Sequence, residues 1–283
     1  MHLLAERKSP QTIESYTTAV QQFLRWCAEQ HRDPTLDRST VNAWVAALLA
    51  GGAQPATARA RQLGVRRFSA WLAEEEEIVR DDLLGLKPPK LDQKIVPRLT
   101  DDQVVALVKA CSGREFRDRR DEAIVRFMLE AIVRAGEVVA MTVADIDVTR
   151  GLAIIRKGKG GKARPVPFGA QTGRAIDRYL RLRRTHRLAA TPTLWLGDRG
   201  KGLSYDGLYR ALMYRAKIAG IENFHPHLTR HTAAQRWLSA NGSEGGLMAV
   251  AGWTRRDMID RYTRATAAER AAEEARRLGL GEF

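Results

Sequence analysis

From Ser9 the chain reads SPQTIESYTTAVQQFLRWCAEQ, and Ile13, Tyr16, Val20, Phe23, Leu24 and Cys27 recur at the spacing of one helical face. Ser-Pro supplies the start, because serine can cap a free N–H and proline is pre-set for a first turn. A second helix is predicted in DRSTVNAWVAALLAGG, capped near Ser39 and stopped by Gly51-Gly52. A third, QPATARARQLGVRRFSAWLAEE, offers Leu63, Phe68, Trp71 and Leu72 to a core and leaves Arg59, Arg61, Arg66 and Arg67 polar. Residues 1–85 therefore read as an all-helical unit with a basic face. The stretch LKPPKLDQKIVPRLTDDQ then loses all period, so residues 86–97 are read as an interdomain linker, ending before a Thr-Asp helix start at Thr100.

Beyond the linker, helical periodicity returns at 101–111 and 119–133. β-Branched runs then bracket Gly158-Lys159-Gly160-Gly161, the pattern of a hairpin with a basic glycine turn. Helical segments follow at 170–188, 204–219, 228–240 and 257–278. The expected fold is mainly α, with a small antiparallel β-sheet in a C-terminal domain covering 98–283. No internal repeat interrupts this layout.

Composition narrows the partner. Lys and Arg number 47 against 33 Asp and Glu, a net charge of +14 with a pI near 10.3, and such an excess favours a polyanion, nucleic acid first. No apolar run approaches the roughly 20 residues that span a bilayer, and the N-terminus lacks the layout of a secretory signal. No membrane association is expected, and a cytoplasmic protein is. Cys27 and Cys111 stand alone, without the spacing of a disulfide framework or a zinc site.

Candidate chemistry concentrates in a few places. HPHLTRH, residues 225–231, gathers three histidines and an arginine at the start of a predicted helix. Taken singly, Arg134, Lys159, His227, Trp253 and Tyr262 each have an ordinary structural explanation. Taken with Arg230, they bring two guanidinium groups, a lysine, an imidazole and a phenol onto a basic chain, a set that suits phosphoryl transfer on a phosphodiester. Arginines can hold the non-bridging oxygens and stabilise the transition-state charge. A lysine can protonate the leaving oxygen, and an imidazole can take the proton of a phenol whose pKa near 10 otherwise makes it a poor nucleophile. No carboxylate cluster is spaced for Mg²⁺ or Mn²⁺, so no metal and no cofactor is expected.

These segments, in this order, resemble the tyrosine recombinases, also called phage integrases. AIVRAGEVVAMTVADID is similar to the first arginine box, with Arg134 the arginine and Glu137 its acidic companion. GKGGKARPVP matches the family's hairpin pattern and points to Lys159 as the catalytic lysine. HPHLTRH matches the H-x-x-R box through His227 and Arg230, with His225 and His231 left structural. VAGWTRRDMIDRYTRAT resembles the final box, in which Trp253 stands nine residues before the nucleophile Tyr262. Two departures stand out: Ala131-Ile132-Val133 replaces the common Thr-Gly-Leu, a packing change, and Trp253 replaces a histidine.

The resemblance implies a two-domain DNA clamp and a site-specific recombinase. Tyr262 would form a 3′-phosphotyrosyl link and release a 5′ hydroxyl, with strands exchanged through a Holliday junction. Double-stranded DNA at core-type attachment sites is the expected partner, bound by a homotetramer on two sites. Arg59, Arg61, Arg66, Arg67, Lys162 and Arg164 are the expected DNA contacts. Integration or excision of phage or mobile-element DNA in a bacterial host is favoured, at the nucleoid. The alternatives are a chromosome- or plasmid-dimer resolvase of the Xer type, a type IB topoisomerase and an inert DNA-binding relative. With eight residues before Ser9, no arm-binding domain is expected. The Ala-, Glu- and Arg-rich residues 266–278 read as a strong helix, which in the family docks on a neighbouring protomer.

Overall fold

Ser9 and Pro10 begin the first long helix. The Ser9 hydroxyl accepts a hydrogen bond from the Thr12 N–H at 3.2 Å, and α2 (Pro10–Glu29) runs on from a single turn, α1 (His2–Ala5). The computed structural model describes residues 2–91, 96–156, 163–197, 202–263 and 267–279. α3 (Arg38–Ala50) is capped by Asp37, not near Ser39. The Asp37 carboxyl accepts from Thr35 and Thr40, and these hydrogen bonds hold it down at about 2. α4 (Pro55–Glu74) lies against α2 along small residues. A Cβ added at Gly64 would stand 2.5 Å from the Ala19 Cβ, so only glycine permits that approach.

This close crossing shifts the buried stripe of α4 to Ala58, Gln62, Gly64, Val65 and Ser69. Leu63, expected in the core, is exposed, and Phe68, Trp71 and Leu72 sit on its shoulder. Leu24 of α2 is likewise exposed, while Phe23 and Cys27 are buried with Val41, Trp44, Leu83 and Leu86. Leu86 thus packs with the first unit although the linker was expected to begin there. The chain divides into two units, Met1–Lys94 and Ile95–Phe283.

The second unit is built on α5 (Asp101–Lys109), α6 (Phe116–Glu130), α8 (Ala170–Arg183) and α9 (Tyr205–Ile218), with α6 packed on α8. Ile124, Phe127, Met128, Tyr179 and Trp195 fill its core. A buried ionic cluster fastens α9 to α6, where Arg215 donates to Asp121 and Asp118, both at 2.9 Å. Three short strands, β1 (Ile146–Asp147), β2 (Leu152–Ile155) and β3 (Arg164–Pro167), form the antiparallel sheet in that order. Ala153 pairs with Val166 and Ile155 with Arg164.

Several boundaries differ from the periodicity. The helix predicted over 119–133 ends at Glu130, and a separate short helix, α7 (Ala135–Val139), follows. Between them Ile132 adopts φ +53°, a left-handed conformation that a β-branched residue rarely takes. α10 (His227–Ser239) carries the histidine-rich motif, and α11 (Glu244–Ala251) follows it. The predicted 257–278 helix is α12 (Asp257–Thr263) and α13 (Ala267–Leu278). No helix among the described residues is long and apolar enough to cross a membrane.

Candidate active site

Arg134 is placed by a helix start. It is the N-cap of α7, where its backbone N–H donates to Glu137 Oε2 at 2.8 Å and its guanidinium to Oε1 at 2.9 Å. Arg164 reaches the same carboxylate from β3, donating to both oxygens at 3.0 and 2.9 Å, and its Nε donates to the Val250 carbonyl at 2.8 Å. Burial opposes ionisation of Glu137. The hydrogen bonds from Arg164 and from the Arg134 N–H, with both guanidinium charges, outweigh it and hold the carboxyl below its usual range. One carboxylate thus anchors two arginines.

This geometry corrects the reading of Arg164 as a DNA contact. It is buried, because strand alternation turns it to the same face as Val166. Gly252 leaves room for it. A Cβ there would stand 3.1 Å from the Arg164 guanidinium, and Gly252 closes α11 at φ +66°.

Arg230 lies one turn into α10 and is 2% exposed. Its guanidinium donates to the Ile132 carbonyl and, at 2.7 Å, to the Ala251 carbonyl, and it lies 5.5 Å over the Trp253 ring. It forms no ion pair with an acid among the described residues. Desolvation and the nearby Arg134 and Arg164 charges lower its pKa to about 10, so it remains a cation at neutral pH. Two carbonyls use only part of its five N–H donors. A buried cation held this way favours an incoming anion.

Trp253 and Tyr262 complete the floor. Their rings stack with centroids 5.1 Å apart, and both are buried in a small apolar cluster with Ile132, Ala233, Leu247 and Ile259. The Trp253 indole N–H is buried without a hydrogen-bond partner among the described residues. Such a donor normally finds an acceptor.

The imidazoles fall out differently from the sequence reading. His227 opens α10 with an exposed side chain. Partial desolvation of its ring and the nearby Arg230, His225 and Arg134 charges lower its pKa from the ordinary histidine value. His231, left structural on sequence grounds, is the residue whose Nδ1 meets the Tyr262 hydroxyl, at 2.5 Å. The two imidazoles lie edge-on with centroids 4.4 Å apart. Position 231 is four residues after 227, so both occupy one face of α10. That spacing was the available signal, but α12 had to be placed before it pointed to Tyr262.

Lys159 and Lys162 lie outside the described residues. The four α4 arginines do not share one face. Arg59 and Arg66, seven residues apart, lie together, whereas Arg61 turns toward α2 and donates to the Ser15 carbonyl at 3.5 Å. Arg67 borders an apolar groove with Tyr16 and Trp71. Among the described residues, no group of three or more His, Cys, Asp or Glu is arranged to hold a metal ion.

The sequence pattern of the phage integrase family matches residues 97–269, and that of the phage integrase N-terminal SAM-like domain matches residues 1–76. The chain belongs to the phage integrase family, the tyrosine recombinases. It is an enzyme that cleaves and rejoins DNA. The recombinase is 29% identical over 248 residues to tyrosine recombinase XerC of Pseudomonas fluorescens strain Pf0-1, covering 85% of this chain and 81% of the relative. With tyrosine recombinase XerC of Chromobacterium violaceum it shares 28% over 278 residues, 93% of this chain and 87% of the relative. The fold is shared with the XerH recombinase bound to a palindromic difH substrate, at TM-score 0.75 and 16% identity, covering 92% of this chain and 78% of that one. It is shared with a lambda integrase tetramer bound to a Holliday junction, at TM-score 0.68 and 16% identity, covering 90% and 75%.

Proposed function

We propose that the recombinase cuts double-stranded DNA at core-type sites through a 3′-phosphotyrosyl link on Tyr262, acting as a homotetramer on two sites, without metal or cofactor. The observation that carries this reading is Arg230. A buried guanidinium with no acid partner among the described residues, held over Trp253 beside the stacked Tyr262, suits a phosphodiester. Arg134 and Arg230 hold the non-bridging oxygens and stabilise the added charge of the pentacoordinate transition state. Glu137 fixes Arg134 by clamping both its backbone and its side chain. The Trp253 N–H donates to a phosphate oxygen, which gives that buried donor its acceptor. Lys159 protonates the leaving 5′ oxygen, and His227 hydrogen-bonds the phosphate from the open end of α10. Arg59 and Arg66 of α4 contact the DNA backbone away from the cut.

Bond energy is conserved in the tyrosyl phosphate. The released 5′ hydroxyl of a partner strand attacks it, and two such exchanges resolve a Holliday junction. The biological outcome is integration or excision of phage or mobile-element DNA at the nucleoid of a bacterial cytoplasm. Resolution of chromosome or plasmid dimers is the second reading, favoured by the XerC names of its relatives. The test is expression of the protein with its own flanking DNA, followed by sequencing of any new junctions. Reciprocal junctions at one fixed spacing, lost in Tyr262→Phe, are expected. Supercoil relaxation without junctions would instead indicate a topoisomerase.

A further inference from the structure

The Tyr262 hydroxyl needs a proton acceptor, because a phenol is ionised only to a small extent at neutral pH. His227 of the H-x-x-R motif was expected to supply it. The geometry assigns that contact elsewhere: His231 Nδ1 lies 2.5 Å from Tyr262 Oη, within the reach a general base requires. His227 sits one turn earlier, exposed at the first residue of α10, and meets His231 edge-on. We propose that His231 is a catalytic residue of this recombinase, the base that takes the Tyr262 proton in cleavage and returns it in rejoining. This rests on the phosphotyrosine chemistry proposed above.

The step balances without any further reactant. His231 begins as the neutral ring with its proton on Nε2, so Nδ1 accepts the hydrogen bond donated by the phenol. As Tyr262 Oη forms its bond to phosphorus, the phenolic proton moves to Nδ1 and His231 becomes imidazolium. The phosphorus–O5′ bond breaks and the 5′ oxygen collects a proton from the acid on the opposite side. In rejoining, the 5′ hydroxyl attacks phosphorus, the phosphorus–Oη bond breaks, and the His231 imidazolium protonates the departing phenolate. The same pair therefore serves both directions.

The surroundings suit this role. Trp253 stacks on the face of Tyr262 and Ile259 belongs to the same apolar cluster, so the phenol ring is held while its hydroxyl stays on the imidazole. His231 is half-buried on α10 between Arg230 and Thr232, both buried. His227 is thereby left available to the phosphate. The division of labour gives each of the two imidazoles on this face a separate partner.

The test measures single-turnover cleavage of a nicked substrate by protein already bound to DNA, so that binding is scored separately. His231→Ala and His231→Asn are compared with the unaltered protein. Asparagine places an amide atom near the position of Nδ1, where it can hydrogen-bond the hydroxyl but cannot carry its proton. Both variants are expected to lose about 10²-fold or more, the scale of general-base catalysis. A substrate with sulfur in place of the bridging 5′ oxygen, whose thiolate leaves without a proton, should rescue neither. Replacing Tyr262 with a ring-fluorinated tyrosine, a more acidic phenol, should shrink the deficit to within about tenfold if the missing step is deprotonation.

Cleavage by His231→Asn within a few-fold of the unaltered protein would overturn the proposal in favour of orientation alone. Rescue by the sulfur substrate would overturn it too, by placing His231 on the acid side. A deficit unchanged by tyrosine fluorination would likewise exclude a base. Should the unaltered protein itself form no adduct, the phosphotyrosine reading fails rather than the assignment of His231.

Discussion

Glu137→Gln removes one charge and almost no volume, and its cost follows from the site geometry. Four hydrogen bonds converge on the two Glu137 oxygens, two from Arg134 and two from Arg164. An amide keeps one acceptor oxygen and turns an NH₂ toward guanidinium donors, so at least one of the two arginines loses its partner. Arg164 suffers most, since its side chain is 10% exposed and that of Glu137 5%. Breaking a buried pair by removing one charge costs about 3–5 kcal/mol. At roughly 2–4 °C per kcal/mol for a unit of this size, the melting temperature should fall by roughly 6–20 °C.

Urea denaturation and thermal melting of the full chain measure this directly. The acid side adds a second readout. The Glu137 carboxyl is held below its usual range in the folded state, so its contribution is complete above the unfolded carboxylate value of about 4.3. It is lost as pH falls through the lower folded value, and the glutamine variant should show a flatter acid limb. A loss under about 1 kcal/mol, the scale of a solvated surface pair, would refute the claim that this carboxylate holds the two arginines. So would an acid limb identical to that of the unaltered chain.

Other substitutions probe neighbouring parts of the site. Ile132→Gly relieves a left-handed backbone worth about 1–2 kcal/mol but empties a fully buried side chain worth about 2–5, so a net loss of up to roughly 4 kcal/mol is expected by denaturation. Greater stability in that variant would contradict the packing role of Ile132. Trp253→Phe keeps an aromatic ring for stacking on Tyr262 and removes the N–H; cleavage should fall about 10- to 100-fold, the worth of a hydrogen bond to a charged group, with duplex binding unchanged by gel shift. A rate equal to that of the unaltered protein would show that the indole N–H makes no contact with the phosphate. Truncation after residue 265 removes α13, whose Leu278 is 57% exposed. Single-site binding should survive while two-site complexes weaken, and undiminished recombination by the truncated chain would count against a docking tail.

How much of this was legible before folding depended on the range of each interaction. Helices with a capped start and an apolar face were readable because their signals are local, as Ser9-Pro10 and Thr100 show. The pairing of Arg134 with Glu137 was readable for the same reason, being closed within one turn. Leu24 and Leu63 were misjudged because the crossing of α2 and α4 selects small residues, and the demand for Gly64 against Ala19 is set across the fold. The sequence comparison marked Ile132 as a packing change, whereas the structure makes it a left-handed residue whose carbonyl holds Arg230. Arg164 was read as a DNA contact although the alternation Arg-Pro-Val-Pro carried the signal for burial, since Val166 inward places Arg164 inward. The partner of His231 lies 31 residues away, on a helix whose placement no local pattern encodes.

The central claim is that Tyr262 becomes joined to DNA. A nicked substrate built from the protein's own recombination site, incubated in excess EDTA, should trap a denaturation-resistant protein–DNA adduct. Digestion and mass spectrometry should then place a nucleotide remnant on the peptide containing Tyr262, with no adduct formed by Tyr262→Phe. An adduct on any other residue, or its persistence in Tyr262→Phe, would contradict the account.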